Sequence, residues 1–310
     1  MRRVMMLAAL LTVGSLSLVV SAVQQAPARG GAPAPMVVEV EKLRDNLFML
    51  KGGGGNTAVF VGSTGIVVVD TKNPGWGTPL LEKIKGISTK PITTIINTHT
   101  HGDHVSGNVE FPVVEVVVQE NTKANMMEMR GATGIAQNGP PTNIFKANNG
   151  KNMATKTFKD KMSIGKGDDR IDLYYFGRGH TNGDAWVAFP ALRLMHAGDI
   201  FSGKNLPLLD ANNGGSGVQI GDTLAKAAKG VKNIDSIITG HSTVMTVADL
   251  TEYAQFNKDF MAEVQAAKKA GKSVDDVAGS WKMPAKYTGY GAPQAARLKA
   301  NVQVVWDELK

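Results

Sequence analysis

Residues 98–104 have the sequence THTHGDH, which places three of the chain's six histidines and one aspartate within a single short stretch. The stretch follows residues 91–97, a run of β-branched residues typical of a buried strand. Imidazoles and a carboxylate crowded together past a strand need a cation to order them. This donor set suits zinc, at ligand distances of about 2.0–2.2 Å, and manganese and iron also accept oxygen-rich ligands. The stretch therefore predicts a metal site at the end of a strand.

The spacing within this stretch predicts two neighbouring ions. In an extended segment, His99 and His101 alternate with a threonine and point to one side. Gly102 permits a sharp bend, so that Asp103 and His104 face a second ion beside the first. Each ion then needs further ligands from other parts of the chain.

Three further candidate ligands lie elsewhere, each directly after a glycine and shortly after a predicted strand. They are His180, Asp199 and His241. Because ligands in α/β folds gather outside the carboxyl ends of strands, we expect these side chains to meet those of the first stretch. The complete set of predicted metal ligands is His99, His101, Asp103, His104, His180, Asp199 and His241.

Strands and helices alternate along the chain in two rough halves, which predicts an α/β fold without a short-period repeat. The predicted strands span 46–51, 56–61, 65–70, 91–97, 113–119, 171–176, 186–189, 192–196 and 234–239. The predicted helices span 76–86, 121–130, 216–231 with Ser216 as a cap, and 246 to about 270, opened by a capping box at 246–249. The remainder to residue 310 is predicted to be helical, with a break at 284–293.

Two glycine-rich segments are candidate borders of the site. Residues 52–55 are four consecutive glycines, but no Gly-Lys-Ser/Thr follows them, so a mobile hairpin turn is favoured over a phosphate-binding loop. Residues 131–150 are rich in Gly, Asn and Pro and show little periodicity. A connection of that length is usually functional, and we expect it to form a rim of the site.

The N-terminus has the features of a secretory signal. Arg2 and Arg3 precede an apolar stretch over 5–20, and 20–22 fits a cleavage site of small residues. Because the apolar stretch is shorter than the roughly 20 residues that a membrane span needs, cleavage after residue 22 is favoured over an uncleaved anchor. Residues 23–36 then form a flexible linker. The mature protein is expected in the periplasm or secreted, without a membrane segment.

The absence of cysteine and the distribution of charge exclude several kinds of site. With no cysteine among 310 residues, disulfides and thiolate metal ligands are excluded. The formal net charge is +7, but the lysines are scattered and form no basic stripe with interleaved aromatics. We therefore expect no nucleic-acid partner; the expected partner is a small-molecule substrate, and the oligomeric state is left open.

The order of these motifs resembles that of the metallo-β-lactamase-fold hydrolase superfamily. The resemblance rests on His-x-His-x-Asp-His at 99–104, then Gly-His-Thr, Gly-Asp and Gly-His, ending at residue 241. It implies an αββα sandwich with a dinuclear metal site at one edge. The implied organisation is a domain over 37–260, with a C-terminal helical extension over 261–310 packed on it.

The resemblance also implies a role for each ligand. His99, His101 and His180 would hold the first metal; Asp103, His104 and His241 would hold the second; and Asp199 would bridge both. Asp70, at the end of a predicted strand, matches a family position that supports the ligands. Two zinc ions per chain are the implied cofactors.

These residues suit hydrolysis. Two zinc ions that share a water lower its pKa to about 7 and provide hydroxide at neutral pH. Asp103 is the predicted catalytic residue, because its carboxylate can accept a hydrogen bond from that hydroxide and aim it. The predicted substrate is an ester, thioester, lactone or amide. The bridging aspartate resembles glyoxalase II, lactonases and phosphodiesterases more than true β-lactamases, which usually carry Cys or Ser there, yet a β-lactam stays among the candidates.

Two other classes of function fit the same residues. One is an oxygenase with a single iron, similar to the persulfide dioxygenases of this fold. The other is a non-catalytic periplasmic metal-binding protein, which the complete set of ligands disfavours. Metal analysis separates these classes, since one iron per chain favours the oxygenase and two zinc ions favour the hydrolase.

Some residues near the motifs have two competing interpretations. His196 lies inside a predicted strand and is interpreted as a structural histidine. Lys204 either pairs with a substrate carboxylate or is a surface lysine. The apolar side chains of Trp76, Phe201 and Leu206 form either a floor of the site or part of the core.

Overall fold

The computed structural model describes residues 36–136 and 142–309, and within these ranges twelve strands form two sheets. The first sheet contains, in spatial order, β1 (Glu39–Arg44), β2 (Leu47–Lys51), β3 (Thr57–Val61), β4 (Ile66–Val69), β5 (Ile92–Ile96), β6 (Glu115–Gln119) and β7 (Lys156–Phe158). The second sheet contains, also in spatial order, β8 (Lys161–Ile164), β9 (Ile171–Tyr174), β10 (Trp186–Phe189), β11 (Leu194–Gly198) and β12 (Ser236–Thr239).

The described helices cover the outer faces of the two sheets. They are α1 (Gly77–Ile87), α2 (Gly102–Val105), α3 (Glu120–Glu128), α4 (Ile144–Ala147), α5 (Ile220–Gly230), α6 (Val247–Lys269), α7 (Val274–Ser280) and α8 (Ala295–Glu308). The capping box predicted for α6 is confirmed: the Thr246 side chain accepts the Asp249 backbone N–H, and the Asp249 carboxylate accepts the Thr246 N–H. Sequence therefore fixes where the longest helix begins.

Alternating side chains of the strands create three apolar layers. Phe60 of β3 points between the sheets, where its ring lies 5.4 Å from that of Phe189 in β10. Its neighbour Val59 points the other way and packs with Leu80 of α1. On the second sheet, Trp186 packs beneath α5, α6 and α8. A period of two residues thus buries both faces of each sheet, and the predicted αββα sandwich is confirmed.

Parallel pairing brings several strand ends to one edge. β4, β5 and β6 run parallel in the first sheet, and β11 and β12 run parallel in the second. At its carboxyl end, β4 leads into Asp70 and β5 into the stretch 97–104, while β11 leads into Asp199 and β12 into His241. The chain leaves regular structure at this edge, so polar side chains collect there.

Most predicted elements are found within a few residues of their predicted limits, but three strands were absent from the predicted set and one cap was predicted wrongly. One of these strands, β1, has no fully buried position. β7 and β8 were missed because they are only three and four residues long, and β8 alternates between exposed and half-buried positions without fully buried ones. Ser216 does not cap α5, which begins at Ile220 after Gln219. Instead the Ser216 hydroxyl donates to Glu308 and accepts the Gln219 N–H, and so ties the preceding turn to α8.

The C-terminal helices belong to the same compact unit as the sheets. Leu298 and Val302 of α8 are buried against Phe201 and Tyr253 in the layer outside the second sheet. The predicted domain limit at residue 260 falls inside α6, which continues to Lys269. The predicted signal at 1–22 and nearly all of the linker at 23–36 lie outside the described residues. Among the helices that are described, none combines the length and apolarity needed to cross a membrane.

We predict that Leu298→Ala lowers the free energy of unfolding by about 2–5 kcal/mol, because it leaves a cavity between α8 and the second sheet. Urea unfolding followed by circular dichroism measures this loss. Val113→Ala serves as the control, since Val113 is 82% exposed and should change the stability by less than about 0.5 kcal/mol. Equal effects of the two substitutions would show that α8 is not packed as described.

Candidate metal centre

All seven predicted ligands come together at the edge where the strands end. The ligand atoms of His99, His101, His180 and Asp199 lie within 4.8 Å of one another, and so do those of a second group, Asp103, His104 and His241. Asp199 lies between the groups: one carboxylate oxygen is 3.2 Å from His104 Nε2, and the other is 3.2 Å from His241 Nε2 and 3.9 Å from His180 Nε2. The arrangement offers two adjacent sites with a shared carboxylate.

Hydrogen bonds on the outer side of the first group fix which nitrogen faces inward. His101 Nε2 donates to Asp210 Oδ2 at 2.7 Å, and His180 Nδ1 donates to the Leu208 carbonyl at 2.7 Å. The inward atoms, His101 Nδ1 and His180 Nε2, then face each other at 3.0 Å. Two ring nitrogens at that distance need a shared proton or a metal ion between them, and the ligands of metal sites are oriented by outer partners in the same way.

Asp70 orients one histidine of each group. Its Oδ2 accepts hydrogen bonds from His104 Nδ1 and from the Thr98 hydroxyl, both at 2.7 Å. Because the hydroxyl proton is used by Asp70, the Thr98 oxygen accepts from His99 Nδ1 at 3.0 Å. The Nε2 atoms of His99 and His104 therefore point toward the site. Asp70 itself has a φ of 63°, a conformation that costs an aspartate energy and persists only where its surroundings fix it.

One buried atom indicates directly that the residues fit a metal. His99 Nε2 is buried and has no hydrogen-bond partner among the described residues. A buried polar atom without a partner is unfavourable, and a cation coordinated by this nitrogen would satisfy it. Together with the facing nitrogens of His101 and His180, it gives three imidazoles and the carboxylate of Asp199, a donor set suited to a divalent transition metal. The individual ligand roles remain predictions.

Burial keeps His99 and His180 of the first group neutral. It lowers the pKa of His180 to about 4, with His101 adding to the effect. Burial and the neighbouring histidines, His104 first among them, also hold the pKa of His99 well below its usual value. At neutral pH these two rings carry no proton on the inward nitrogen, so a cation can bind without displacing one.

Carboxylates have the opposite effect on the second group. Burial alone would lower the pKa of His104, but Asp199, Asp103 and Asp70 outweigh it and raise that pKa well above its usual value. In His241, which is partly buried, the loss of solvation is likewise outweighed by Asp199 and Asp103, and the pKa rises to about 10. Despite burial, the same contacts hold the pKa of Asp103 and that of Asp199 below their usual values. Without a metal, the second group is thus stabilised by ion pairs between the protonated His104 and His241 and the neighbouring carboxylates.

These opposite shifts predict that metal binding to the second group releases more protons than binding to the first. A cation must displace the protons on His104 and His241, so the affinity of this group rises more steeply as the pH increases toward about 10. Calorimetry of Zn²⁺ binding in buffers of different ionisation enthalpy counts the protons. His180→Ala isolates the second group and His241→Ala isolates the first. Equal proton release from both variants would contradict the prediction.

The glycines at 52–55 lie in the hairpin turn between β2 and β3, as predicted, and form one wall of the site. A Cβ atom at Gly55 would lie 2.1 Å from His104 Cε1, and one at Gly54 would lie 2.6 Å from the Asp103 carbonyl oxygen. A Cβ at Gly53 would lie 1.9 Å from the Trp76 ring. The run also donates a hydrogen bond from Gly55 N to the Asp103 carbonyl at 3.1 Å. These glycines are therefore needed for close approach, and the mobility of the turn stays a prediction.

A buried lysine holds this wall from behind. Lys72 is fully buried, and its ammonium donates to the carbonyl of Leu50, before the glycine run, at 2.9 Å and to that of Gly55, the last glycine, at 2.8 Å. Burial lowers the pKa of Lys72 to about 7, although Asp70 and Asp103 partly offset the effect. In the sequence, Lys72 stands out only because it lies two residues after Asp70, and its role was not predicted.

We predict that Gly55→Ala disrupts the second group selectively, because the added methyl displaces the His104 ring. The metal content of zinc-treated protein should fall by about half, as measured by inductively coupled plasma mass spectrometry. Gly86→Ala is the matched control, since a Cβ there would have no atom within 4 Å. Unchanged metal content in Gly55→Ala would show that the glycine wall does not constrain the site.

His196 and Lys204 both make contacts with other protein groups. His196 is structural, as predicted: its Nε2 donates to the Asn56 carbonyl at 2.9 Å and its Nδ1 accepts from Gly198 N at 3.0 Å. Lys204 pairs with Asp249 and Glu252 at 2.9 and 3.1 Å. This paired ammonium gives no support to a role in binding a substrate carboxylate.

The apolar residues and the long loop divide between core and rim. Phe201 and Leu206 are buried in the core outside the second sheet, whereas Trp76 is half-buried over Gly53 at the glycine wall. In the predicted rim at 131–150, Thr133 donates from its backbone N–H and its hydroxyl to Asp210 Oδ1, at 2.9 and 3.1 Å. Residues 137–141 of this loop lie outside the described part of the chain.

Comparisons with known proteins agree with this geometry. The sequence model of the metallo-beta-lactamase superfamily matches residues 50–241. A metallo-beta-lactamase type 2 of Elizabethkingia meningoseptica is 25% identical over 251 residues, which cover 75% of this chain and 88% of that protein. The 2,4-dinitroanisole O-demethylase subunit alpha of Nocardioides sp. (strain JS1661) is 24% identical over 168 residues, 53% of this chain and 46% of the subunit.

Solved structures share the fold at low sequence identity. A metallo-beta-lactamase from Pontibacter korlensis has a TM-score of 0.58 at 18% identity and covers 72% of this chain and 100% of its own. The inverting sec-alkylsulfatase Pisa1 from Pseudomonas sp. has a TM-score of 0.66 at 14% identity, and the similarity covers 88% of this chain but 50% of the sulfatase. At such identities the structures establish the architecture alone.

Proposed function

This chain belongs to the metallo-β-lactamase superfamily of metal-dependent hydrolases, and we propose that it uses two zinc ions to hydrolyse an ester, thioester, lactone or amide bond in a small molecule. The observation that carries the proposal is the convergence of seven donor side chains from four separate parts of the chain. Each imidazole with an outer hydrogen bond presents its other nitrogen to the site. Such preorganisation is typical of a metal centre.

In the proposed centre the two groups hold one ion each. His99, His101 and His180 would hold the first, and Asp199 would lie between both. The second would be held by Asp103, His104 and His241. When bound, zinc would polarise the scissile bond and lower the pKa of an attacking water.

Exposure of the side chains suggests where a substrate enters. His241 and Asp103 have side chains that are 39% and 31% exposed, whereas those of His104 and His180 are fully buried. A substrate would therefore approach from the side of the second group, with Trp76 near the glycine wall as an apolar neighbour. There the Asp103 carboxylate would accept a hydrogen bond from the attacking water and return its proton to the leaving group.

The relatives support hydrolysis more than one particular substrate. They include a metallo-beta-lactamase, a sec-alkylsulfatase and a 2,4-dinitroanisole O-demethylase subunit, which act on different bonds. Asp199 stands where thiolate-type lactamase sites would need a cysteine, and this chain has none. We keep a β-lactam among the proposed substrates, and we propose export to the periplasm or beyond it from the sequence of residues 1–22.

We predict that Asp103→Asn and His101→Ala each lower kcat/KM by about 100-fold or more, because one loses the acceptor for the water proton and the other a metal ligand. The assay uses zinc-loaded protein and chromogenic lactam, thioester, lactone and phosphodiester substrates. Asp45→Asn is the control, because the Asp45 side chain is fully exposed.

Metal analysis of the protein as purified, before zinc is added, completes the test. Two zinc ions in the unsubstituted chain, together with turnover of at least one substrate, are the expected result. Full turnover in both variants would overturn the proposed roles. One iron per chain without hydrolysis would overturn the proposed reaction in favour of an iron-dependent oxygenase.

A further inference from the structure

A buried asparagine of the C-terminal helix α8 contacts the segment that supports the first metal group. Asn301 is 1% exposed. Its Nδ2 donates to the Pro207 carbonyl at 2.8 Å, and its Oδ1 accepts from Leu209 N at 3.4 Å. The two bonds lie on either side of Leu208, so one side chain holds two consecutive peptide units.

The same segment orients two candidate ligands. The Leu208 carbonyl accepts from His180 Nδ1 at 2.7 Å, and Asp210 accepts from His101 Nε2 at 2.7 Å. Residues 206–210 form neither strand nor helix, so no sheet ladder or helical hydrogen bonds hold the backbone of 207–209. The side chain of Asn301 therefore supplies a constraint that regular structure does not.

The hydrogen bonds of Asn301 differ from those of a buried asparagine that serves only its own helix. Packing of α8 is provided by Leu298, Val302 and Val305, which are all buried in the outer layer. Asn257 in the neighbouring helix α6 is equally buried, at 2%, but its Nδ2 bonds to the carbonyl of Tyr253 one turn earlier. Asn301 uses both polar atoms on a separate segment 92 and 94 positions away.

We propose that Asn301 is a positioning residue for the metal site formed by His99, His101, His180 and Asp199. The inference rests on the proposed function, since it requires that this group binds a metal. Asn301 acts through the backbone of 207–210, which aims the inward nitrogens of His101 and His180. It lies outside residues 50–241, which match the superfamily, so α8 extends the support of the site beyond that region.

The test measures Co²⁺ affinity by visible absorption in two backgrounds. His241→Ala leaves only the first group complete, and His180→Ala leaves only the second. We expect Asn301→Leu, which keeps the volume but loses both hydrogen bonds, to weaken Co²⁺ binding about 10-fold in the His241→Ala background. In the His180→Ala background the affinity should stay within about twofold. Asn257→Leu is the matched control and should change neither affinity.

Each result separates this inference from the proposed function. If the His241→Ala chain binds no Co²⁺, the proposed metal centre fails and the role of Asn301 fails with it. If that chain binds Co²⁺ equally well with and without Asn301→Leu, only the positioning role is overturned. Equal weakening by Asn257→Leu, or in both backgrounds, would also overturn it. Thermal unfolding of the metal-free proteins checks folding, and Asn301→Ser replaces Asn301→Leu if the latter does not fold.

Discussion

The whole site depends on one constraint, the close approach of ring nitrogens that face each other with no other protein group between them. His101 Nδ1 and His180 Nε2 lie 3.0 Å apart while their other nitrogens donate elsewhere, and His99 Nε2 is buried beside them without a partner among the described residues. Buried nitrogens of this kind need a shared proton or a bound cation, and one cation would satisfy all three. The fold has to hold these rings in place at this short distance.

The fold does so by fixing the outer sides of the four rings from two different segments, each of which orients two of them. Asp70, after β4, orients His104 directly and His99 through Thr98. The segment 207–210 orients His101 and His180 and is itself bonded to α8. On the opposite side, the glycine wall closes on His104 and is held by Lys72. Support for the metal ligands thus comes from both halves of the chain, and the C-terminal helices take part in it.

The ligands could be predicted from the sequence, whereas most of their supports could not. Imidazoles, carboxylates and glycines at strand ends form local patterns, and the motif order carried the resemblance that implied the fold. The roles of Asp210 and Asn301 depend on contacts between segments about 90 to 110 positions apart, and no spacing in the sequence reveals them. The hairpin turn at the glycine run could be predicted, but its close approach to His104 could not, because a turn and a close contact both favour glycine. Short edge strands such as β8 lack the buried alternation on which prediction relies.

The most direct measurement is a crystal structure of the zinc-treated protein with anomalous diffraction recorded on both sides of the zinc absorption edge. Two zinc peaks are expected, one among His99, His101 and His180 and the other among Asp103, His104 and His241, with Asp199 next to both. A single peak elsewhere, or no anomalous signal at this edge of the sandwich, would contradict the account.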